Sequence, residues 1–118
     1  MFFTFEQNNS GGSFAYDEPA GITVNVIIEA ANAAEANDKA EEIGLYFNGC
    51  RDGRDCECCG DRWYATYDDG DLKPSVYGKA LGEGSPNSYG WAESGGGTAV
   101  HYKSGEIKWH DKNGKEIT

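Results

Sequence analysis

The stretch ITVNVIIE, residues 22–29, constrains the fold more than any other feature of this sequence. Branched aliphatic side chains occupy positions 22, 24, 26 and 28, and the positions between them carry Thr23, Asn25, Ile27 and Glu29. Because successive side chains of a strand point to opposite faces, this alternation predicts a strand with one buried face. Phe2–Glu6 predicts a second strand, with Phe3 and Phe5 on one face.

A helix is predicted directly after this strand. Asn32 is a favourable N-cap, and Glu35 three residues later completes a pair that resembles a capping box. Small and apolar residues then recur every three or four positions, which predicts one narrow buried stripe of Ala33, Ala36, Ala40, Ile43 and Phe47. Gly44 is predicted to mark either fraying of the helix or its C-cap. Two strands followed by a helix are typical of an α+β fold.

The C-terminal part predicts a meander of strands at 98–103, 106–111 and 115–118, joined at Ser104-Gly105 and Asn113-Gly114. If Ser104-Gly105 is a two-residue loop, the core face consists of Val100 opposite Trp109 and Tyr102 opposite Ile107. His101, Lys103, Lys108 and His110 then share the polar face.

Length and composition predict one α+β domain over residues 1–118: a small antiparallel sheet with one packed helix, a cysteine-rich insertion and a long glycine-rich loop at 68–97. No apolar run is long enough to span a bilayer, so we expect no membrane association. The N-terminus lacks the basic region of a signal peptide, which favours the cytoplasm. In that compartment cysteines are typically thiols or metal ligands.

The chain carries 20 acidic and 10 basic residues, a formal net charge of -10. Binding to nucleic-acid backbones requires Lys and Arg to displace counterions, so this balance argues against general nucleic-acid binding. An acidic surface is instead compatible with contact to a partner protein.

The cysteine-rich segment NGCRDGRDCECCG is the sharpest chemical signal in the sequence. Cys56 and Cys59 form a C-x-x-C pair followed by glycine, a spacing that turns two thiolates onto one metal ion. Cys50 is the predicted third ligand, and Cys58 or a histidine, His101 or His110, the fourth. Structural zinc is thus one interpretation. Plain reduced thiols, a redox dithiol and a nucleophilic cysteine are the alternatives.

Two further segments have the chemistry of an anion or nucleotide site. The guanidinium groups of Arg51, Arg54 and Arg62 suit phosphate, and Trp63 and Tyr64 offer stacking surfaces beside them. The opening loop, residues 8–14, offers amides, hydroxyls and backbone N–H groups: Asn8, Asn9, Ser10, Gly11, Gly12, Ser13 and Phe14. Two structural explanations compete, because nearby acids are able to neutralise the arginines and the loop residues are also common in turns.

The segments FFTFEQNNSGGSF and GLYFNGC…DCECCGDRWY resemble a family of small proteins encoded by tailed bacteriophages. The resemblance covers residues 2–64 and weakens beyond them. It implies a role in host takeover or counter-defence, in the cytoplasm of the infected bacterium.

Three functions follow as hypotheses. The first is non-enzymatic capture of a host nucleotide immune signal through the opening loop, the arginines and Trp63 or Tyr64. The second is inhibition of a host defence enzyme by an acidic protein-binding surface. The third is a small zinc-stabilised enzyme that processes nucleotides, although no acid–base or nucleophile set is recognisable. Homo-oligomerisation is compatible with each.

Overall fold

A computed structural model describes residues 1–8, 15–55, 60–76, 79–80, 97–110 and 116. Its elements are β1 (Phe2–Glu6), β2 (Asn25–Glu29), α1 (Ala33–Ile43), β3 (Ser75–Val76), β4 (Lys79–Ala80), β5 (Thr98–His101) and β6 (Ile107–His110). Four strands form one sheet in the order β1-β2-β5-β6, and β3 and β4 form a separate pair. A small sheet with one helix confirms the α+β class.

The four-stranded sheet is mixed, so the prediction of an antiparallel sheet is wrong at one pair. β1 is antiparallel to β2 and β6 is antiparallel to β5, whereas β5 is parallel to β2. Parallel neighbours require a long crossover, which α1 and the connection after it provide. Side-chain alternation within a strand contains no information about the direction of its neighbour.

Helix α1 begins and ends as predicted. The Asn32 side chain accepts a hydrogen bond from the Glu35 backbone N–H at 2.9 Å, and Gly44 ends the helix with a φ of 117°. Of the predicted stripe, Ala36 and Ala40 are fully buried, and the other three residues pack partly buried against the core. Because alanine is small, the helix lies close to the sheet.

The core on the helix side is built from β1, β2 and Trp63. Phe3 pairs with Ile28 and Phe5 with Val26, and all four side chains are buried there, so the predicted faces of both strands are confirmed. The opposite face of the sheet is also covered, since a second cluster buries Ile27 and Val100 against Phe2 and Tyr102.

The β5–β6 connection is a three-residue loop, residues 103–105, and not the predicted two-residue Ser104-Gly105 loop. The Tyr102 N–H donates to Glu106 O at 2.8 Å, and the Gly105 N–H donates to Tyr102 O at 2.9 Å. Gly105 adopts a φ of 94°, which suits the left-handed position that closes such a loop.

This extra loop residue shifts the hairpin register by one. Ala99 pairs with Trp109, and Val100 pairs with Lys108. The predicted core face is therefore wrong: Val100 and Tyr102 lie on the face opposite α1, whereas Trp109 lies on the helix side together with His101. A one-residue slip exchanges the two faces because the side-chain period of a strand is two.

Several predictions fall on residues outside the described part of the chain. The Asn113-Gly114 turn is one, although an antiparallel bridge between His110 and Glu116 brackets it. Of the predicted loop at 68–97, residues 68–76, 79–80 and 97 are described and include β3 and β4. Among the described residues, no helix is long and apolar enough to cross a membrane.

Candidate functional site

The backbone of β1 bonds to β2 through its odd-numbered residues. The Gln7 N–H donates to Val24 O at 2.8 Å, and the Ala30 N–H donates to Met1 O at 2.9 Å. Successive residues of a strand direct their backbone N–H and C=O groups to opposite sides. The even-numbered residues of β1 therefore direct these groups to the free edge of the sheet.

A second segment runs antiparallel along this free edge and touches it at two points. Phe2 and Asp71 exchange two backbone hydrogen bonds of 2.8 Å, and the Asn8 N–H donates to Arg62 O at 2.9 Å. Between these points β1 advances six positions, from 2 to 8, whereas the facing segment advances nine, from 62 to 71. The longer segment cannot pair along its whole length. It bulges outward as an arch, which we define as residues 63–70.

The bulge leaves a cleft of about 600 Å³ between β1 and the arch, which we call the edge cleft. It is lined by Thr4, Glu6, Gln7, Asn8 and residues 64–68. Thr4 lies between the two points of contact, two residues after Phe2 and four before Asn8, and as an even-numbered residue it directs its N–H and C=O to this space. Among the described residues, no hydrogen-bond partner is found for these two backbone groups.

The arch is held in place by specific hydrogen bonds. The side-chain amide of Asn37 on α1 bonds the Thr66 backbone twice, accepting from N–H at 2.9 Å and donating to C=O at 3.0 Å. Asp68 Oδ1 accepts from the Gly70 N–H at 2.9 Å. Gly70 has a φ of 77° and lies so close to the Phe3 ring that a Cβ would meet it at 2.9 Å. The backbone of this exposed segment is thus fixed.

The side chains of the arch and its margin are unusually exposed for their type. Tyr64 is 56% exposed, Tyr67 89% and Leu72 84%. The acids Asp68 and Asp69 are exposed among them. None of the residues lining the edge cleft is a lysine or an arginine, and two of them, Glu6 and Asp68, are acids.

The opening loop is tied at its base by Gln7. The buried Gln7 side chain accepts from the Ala15 N–H at 2.6 Å and donates to the carbonyls of Ala15 and Thr23 at 3.0 and 3.1 Å. Asn8 also donates from Nδ2 to Asp61 O at 3.1 Å. The rest of the predicted loop site lies outside the described residues: Asn9, Ser10, Gly11, Gly12, Ser13 and Phe14.

Arg62 joins the opening loop to the cysteine-rich segment from inside the protein. Its Nη1 donates to Gln7 Oε1 at 2.9 Å, and its Nε lies 3.7 Å from Asp55 Oδ1, with both side chains largely buried. Asp55 also accepts from the Arg62 N–H and from the Tyr46 hydroxyl, each at 2.8 Å. Burial, and then the bond to Asp55, raise the pKa of Tyr46.

The other predicted ligand-binding residues differ in how far their side chains are exposed to solvent. Arg51 is exposed and pairs with Asp52 at 3.4 Å, and the guanidinium of Arg54 lies 4.7 Å from the centre of the Tyr46 ring. Trp63 is only 2% exposed and belongs to the core, so its ring is not available for stacking with a ligand. Tyr64 and Asn8 do share the edge cleft.

The predicted zinc site is described only in part. Cys50 is partly buried, and its backbone N–H donates to Asp61 Oδ1 at 2.9 Å. Gly49 O accepts from the Asp55 N–H at 3.1 Å. The other proposed ligands, Cys56, Cys58 and Cys59, lie outside the described residues. Within the described part of the chain, no group of three potential ligands from His, Cys, Asp and Glu is present.

His101, a candidate fourth ligand, is instead bonded to the backbone. Its Nε2 lies 2.7 Å from Gly21 O, and burial lowers its pKa. Gly21 has a φ of 74°, and a Cβ there would lie 2.5 Å from the imidazole ring. The histidine and the glycine thus form a close structural contact between β5 and the chain that enters β2.

A family model described as a domain of unknown function, DUF7296, matches residues 1–118. The chain belongs to the DUF7296 family. No curated protein and no solved structure matches it.

Three of the five exposed large hydrophobic side chains among the described residues, Tyr64, Tyr67 and Leu72, lie in the stretch YATYDDGDL, residues 64–72. Tyr64 is predicted from the sequence as a ligand-binding residue, whereas residues 68–72 of this DUF7296 chain are predicted as part of the glycine-rich loop. The signal of the stretch is its mixture of aromatic and acidic residues without a strand or helix period. Such a pattern has no core face, so its apolar side chains are candidates for contact with a partner.

Proposed function

We propose that this DUF7296 protein acts without catalysis, by binding a protein of its host through the arch and the adjoining Leu72. The observation that carries the proposal is the exposure of Tyr67 and Leu72, at 89% and 84%, on a backbone fixed by the bonds of Thr66 and Asp71. Large apolar side chains that a chain of this size leaves outside its core are available to another surface.

A fixed backbone makes such side chains effective in binding. Association orders flexible groups at a cost of about 0.5–1.5 kcal/mol for each immobilised side chain, and a loop that is already ordered adds little to that cost. Tyrosine supplies a large contact area with few rotatable bonds and is common among residues that dominate binding energy. The arch carries two tyrosines, Tyr64 and Tyr67.

The acidic residues of this protein indicate which charge its partner presents. Asp68 and Asp69 stand beside the exposed tyrosines, and the whole chain carries a net charge of -10. Complementary charge accelerates association and excludes wrong partners, so the partner is expected to present lysine and arginine. Association should slow as salt rises because surface charges are screened.

The resemblance to tailed-bacteriophage proteins supports a bacterial host protein as the partner. In that setting the protein inhibits a host defence enzyme in the cytoplasm of the infected cell. Acidity and non-catalytic contact are both compatible with such an inhibitor.

The test is affinity capture from host lysate, followed by measurement of the purified pair. Tyr67→Ser and Asp69→Lys should each weaken binding at least tenfold. Tyr16→Ser and Asp38→Lys are matched controls, because Tyr16 is 58% exposed and Asp38 is an exposed acid on α1. If the arch variants bind as tightly as the controls, or if no protein is retained, the proposal is wrong.

Nucleotide capture remains a second candidate because Tyr64 and Asn8 line one cleft, where a base is able to stack on the tyrosine ring. Arg62 is engaged with Asp55 and Gln7, and the exposed Arg51 is not among the residues that line the cleft, so a phosphate would have to be bound outside that lining. Mass spectrometry of small molecules released by heating, after mixing with host nucleotide extract, tests this function. Tyr64→Ala should abolish the capture, whereas Tyr16→Ala should retain it.

A further inference from the structure

We infer that the edge cleft accepts a short, extended, basic segment of the partner protein, which adds as a strand to the free edge of β1. This inference rests on the proposed function, because it specifies how a protein partner enters the site. Its basis is the backbone of Thr4, which has no hydrogen-bond partner in the part of the chain that the structure describes, together with the space enclosed by the arch and the acidic residues that line it.

The backbone groups of Thr4 suit strand addition. Its N–H and C=O face the cleft, whereas those of Phe2 and Asn8 on either side already bond the ends of the arch. An unpaired strand edge is a template for another extended chain, and peptide recognition by strand addition uses these main-chain hydrogen bonds for affinity. The window contains Thr4 and is closed at both ends, at Phe2 and at Asn8.

The dimensions limit the segment to a few residues. Six steps along β1 at about 3.3 Å each span about 20 Å. The cleft volume of about 600 Å³ lies within the range of about 300–1,000 Å³ that is typical of ligand sites. Three extra residues in the arch provide this room, because the arch cannot close onto β1 between Arg62 and Asp71.

Charge and aromatic rings favour lysine or arginine in that segment. Side chains of an added strand alternate between two faces, so some of them must meet the cleft lining. That lining includes the acids Glu6 and Asp68 and the rings of Tyr64 and Tyr67. Carboxylates pair with cations, and aromatic faces attract them as well. An acidic segment or the phosphates of a nucleotide would be repelled by the same carboxylates.

The probe is a pentapeptide in which lysine alternates with valine, titrated into the full chain and followed by calorimetry and amide NMR. We expect saturable binding, protection of the Thr4 amide from hydrogen exchange, and loss of binding when the peptide amides are N-methylated. A glutamate–valine pentapeptide should not bind. No saturable binding of the lysine–valine peptide at millimolar concentration, or binding that leaves Thr4 exchange unchanged, would overturn the inference.

The matched variants are Thr4→Pro and Thr4→Val. Both lose the hydroxyl that donates to Ser75 O at 2.6 Å, but only proline removes the N–H. Proline is tolerated where an edge strand directs its N–H outward, so the β1–β2 pairing should persist in both. We expect Thr4→Pro to bind the peptide at least tenfold more weakly than Thr4→Val, with equal thermal midpoints.

The outcomes separate this inference from the proposed function. If host-protein capture depends on Tyr67 but is equal for Thr4→Pro and Thr4→Val, the arch is a docking surface and strand addition is wrong. If no protein is captured and only nucleotides bind, both ideas are wrong.

Discussion

Residues 49–63 and residues 64–72 are consecutive in the chain but use their polar and aromatic side chains in opposite ways. In the first region Asp55 and Arg62 bond each other and their neighbours, and the Trp63 ring is 2% exposed. In the second, the Tyr64 ring that follows directly is 56% exposed. Asp55, Arg62 and Trp63 thus stabilise the fold through internal contacts, whereas the side chains of Tyr64, Tyr67 and Leu72 are exposed to solvent.

The difference shows why residue type alone is a poor guide to a binding site. An arginine beside a tryptophan and a tyrosine looks like a phosphate and stacking site. In the structure the arginine has internal acceptors and the tryptophan packs with Phe3 and Phe5. What separates ligand-binding from structural roles is whether the polar groups already have partners, and this depends on tertiary contacts.

The largest expected effect is that of Trp63→Ala. Removing a fully buried tryptophan ring should lower the free energy of unfolding by about 3–5 kcal/mol, since it leaves a cavity in the core. Tyr64→Ala should lower it by less than about 0.5 kcal/mol, as is usual for exposed positions. Urea unfolding of both variants measures this. Similar losses for the two would mean that the boundary between the regions is misplaced.

The next effect is that of Asp55→Ala, which leaves Arg62 without its carboxylate partner. Loss of one member of a buried ion pair typically costs about 3–5 kcal/mol, and the Tyr46 hydroxyl and Arg62 N–H lose their acceptor as well. Asp52→Ala breaks the exposed pair with Arg51 and should cost less than about 1 kcal/mol.

Urea unfolding of the two aspartate variants provides the comparison. If Asp55→Ala is no more destabilising than Asp52→Ala, the contact between Asp55 and Arg62 does not stabilise the fold. Arg62 then becomes a candidate for ligand binding again.

Local features of this fold were readable from the sequence. Asn32 and Gly44 fix the ends of α1 through backbone geometry that depends only on nearby residues. Alternation placed Phe3, Phe5 and Val26 on the helix side, because the period of a strand is also local.

Features that depend on distant residues were not readable. The parallel pairing of β5 with β2 results from a crossover of more than fifty residues. The register of the β5–β6 hairpin depends on whether its loop has two residues or three. The edge cleft arises because residues 62–71 are three positions longer than the part of β1 they face. That mismatch exists only once the two contact points, at Phe2 and Asn8, are known.

Measurement of bound metal tests whether the cysteine-rich segment holds zinc. The Asp55 N–H donates to Gly49 O at 3.1 Å, and Cys56, Cys58 and Cys59 lie outside the described residues, so the zinc prediction rests on the spacing of the cysteines in the sequence. We expect about one zinc per chain in protein purified without chelator. Cys56→Ser should then lower the thermal midpoint more than Cys58→Ser. Absence of metal from elemental analysis would favour plain thiols.

The smallest expected effect is a pH dependence due to His101. Burial lowers the pKa of His101 below its ordinary value of 6.5, although the bond to Gly21 O partly opposes this. As pH falls below about 6.5, the unfolded chain takes up the proton before the folded protein does. The free energy of unfolding should therefore fall with pH in this window, by at most about 1.4 kcal/mol per pH unit for one group.

His101→Gln separates this effect from the titration of carboxylates, because glutamine cannot ionise and retains a donor for Gly21 O. Urea unfolding at pH 7.5 and 5.5 should show a smaller loss of stability for the variant than for the wild type. Equal losses would mean that His101 takes up its proton equally easily in the folded and unfolded chain. Water would then reach the contact between His101 and Gly21. The His101 side chain would be solvated like the exposed side chains of the arch and not like those of the core.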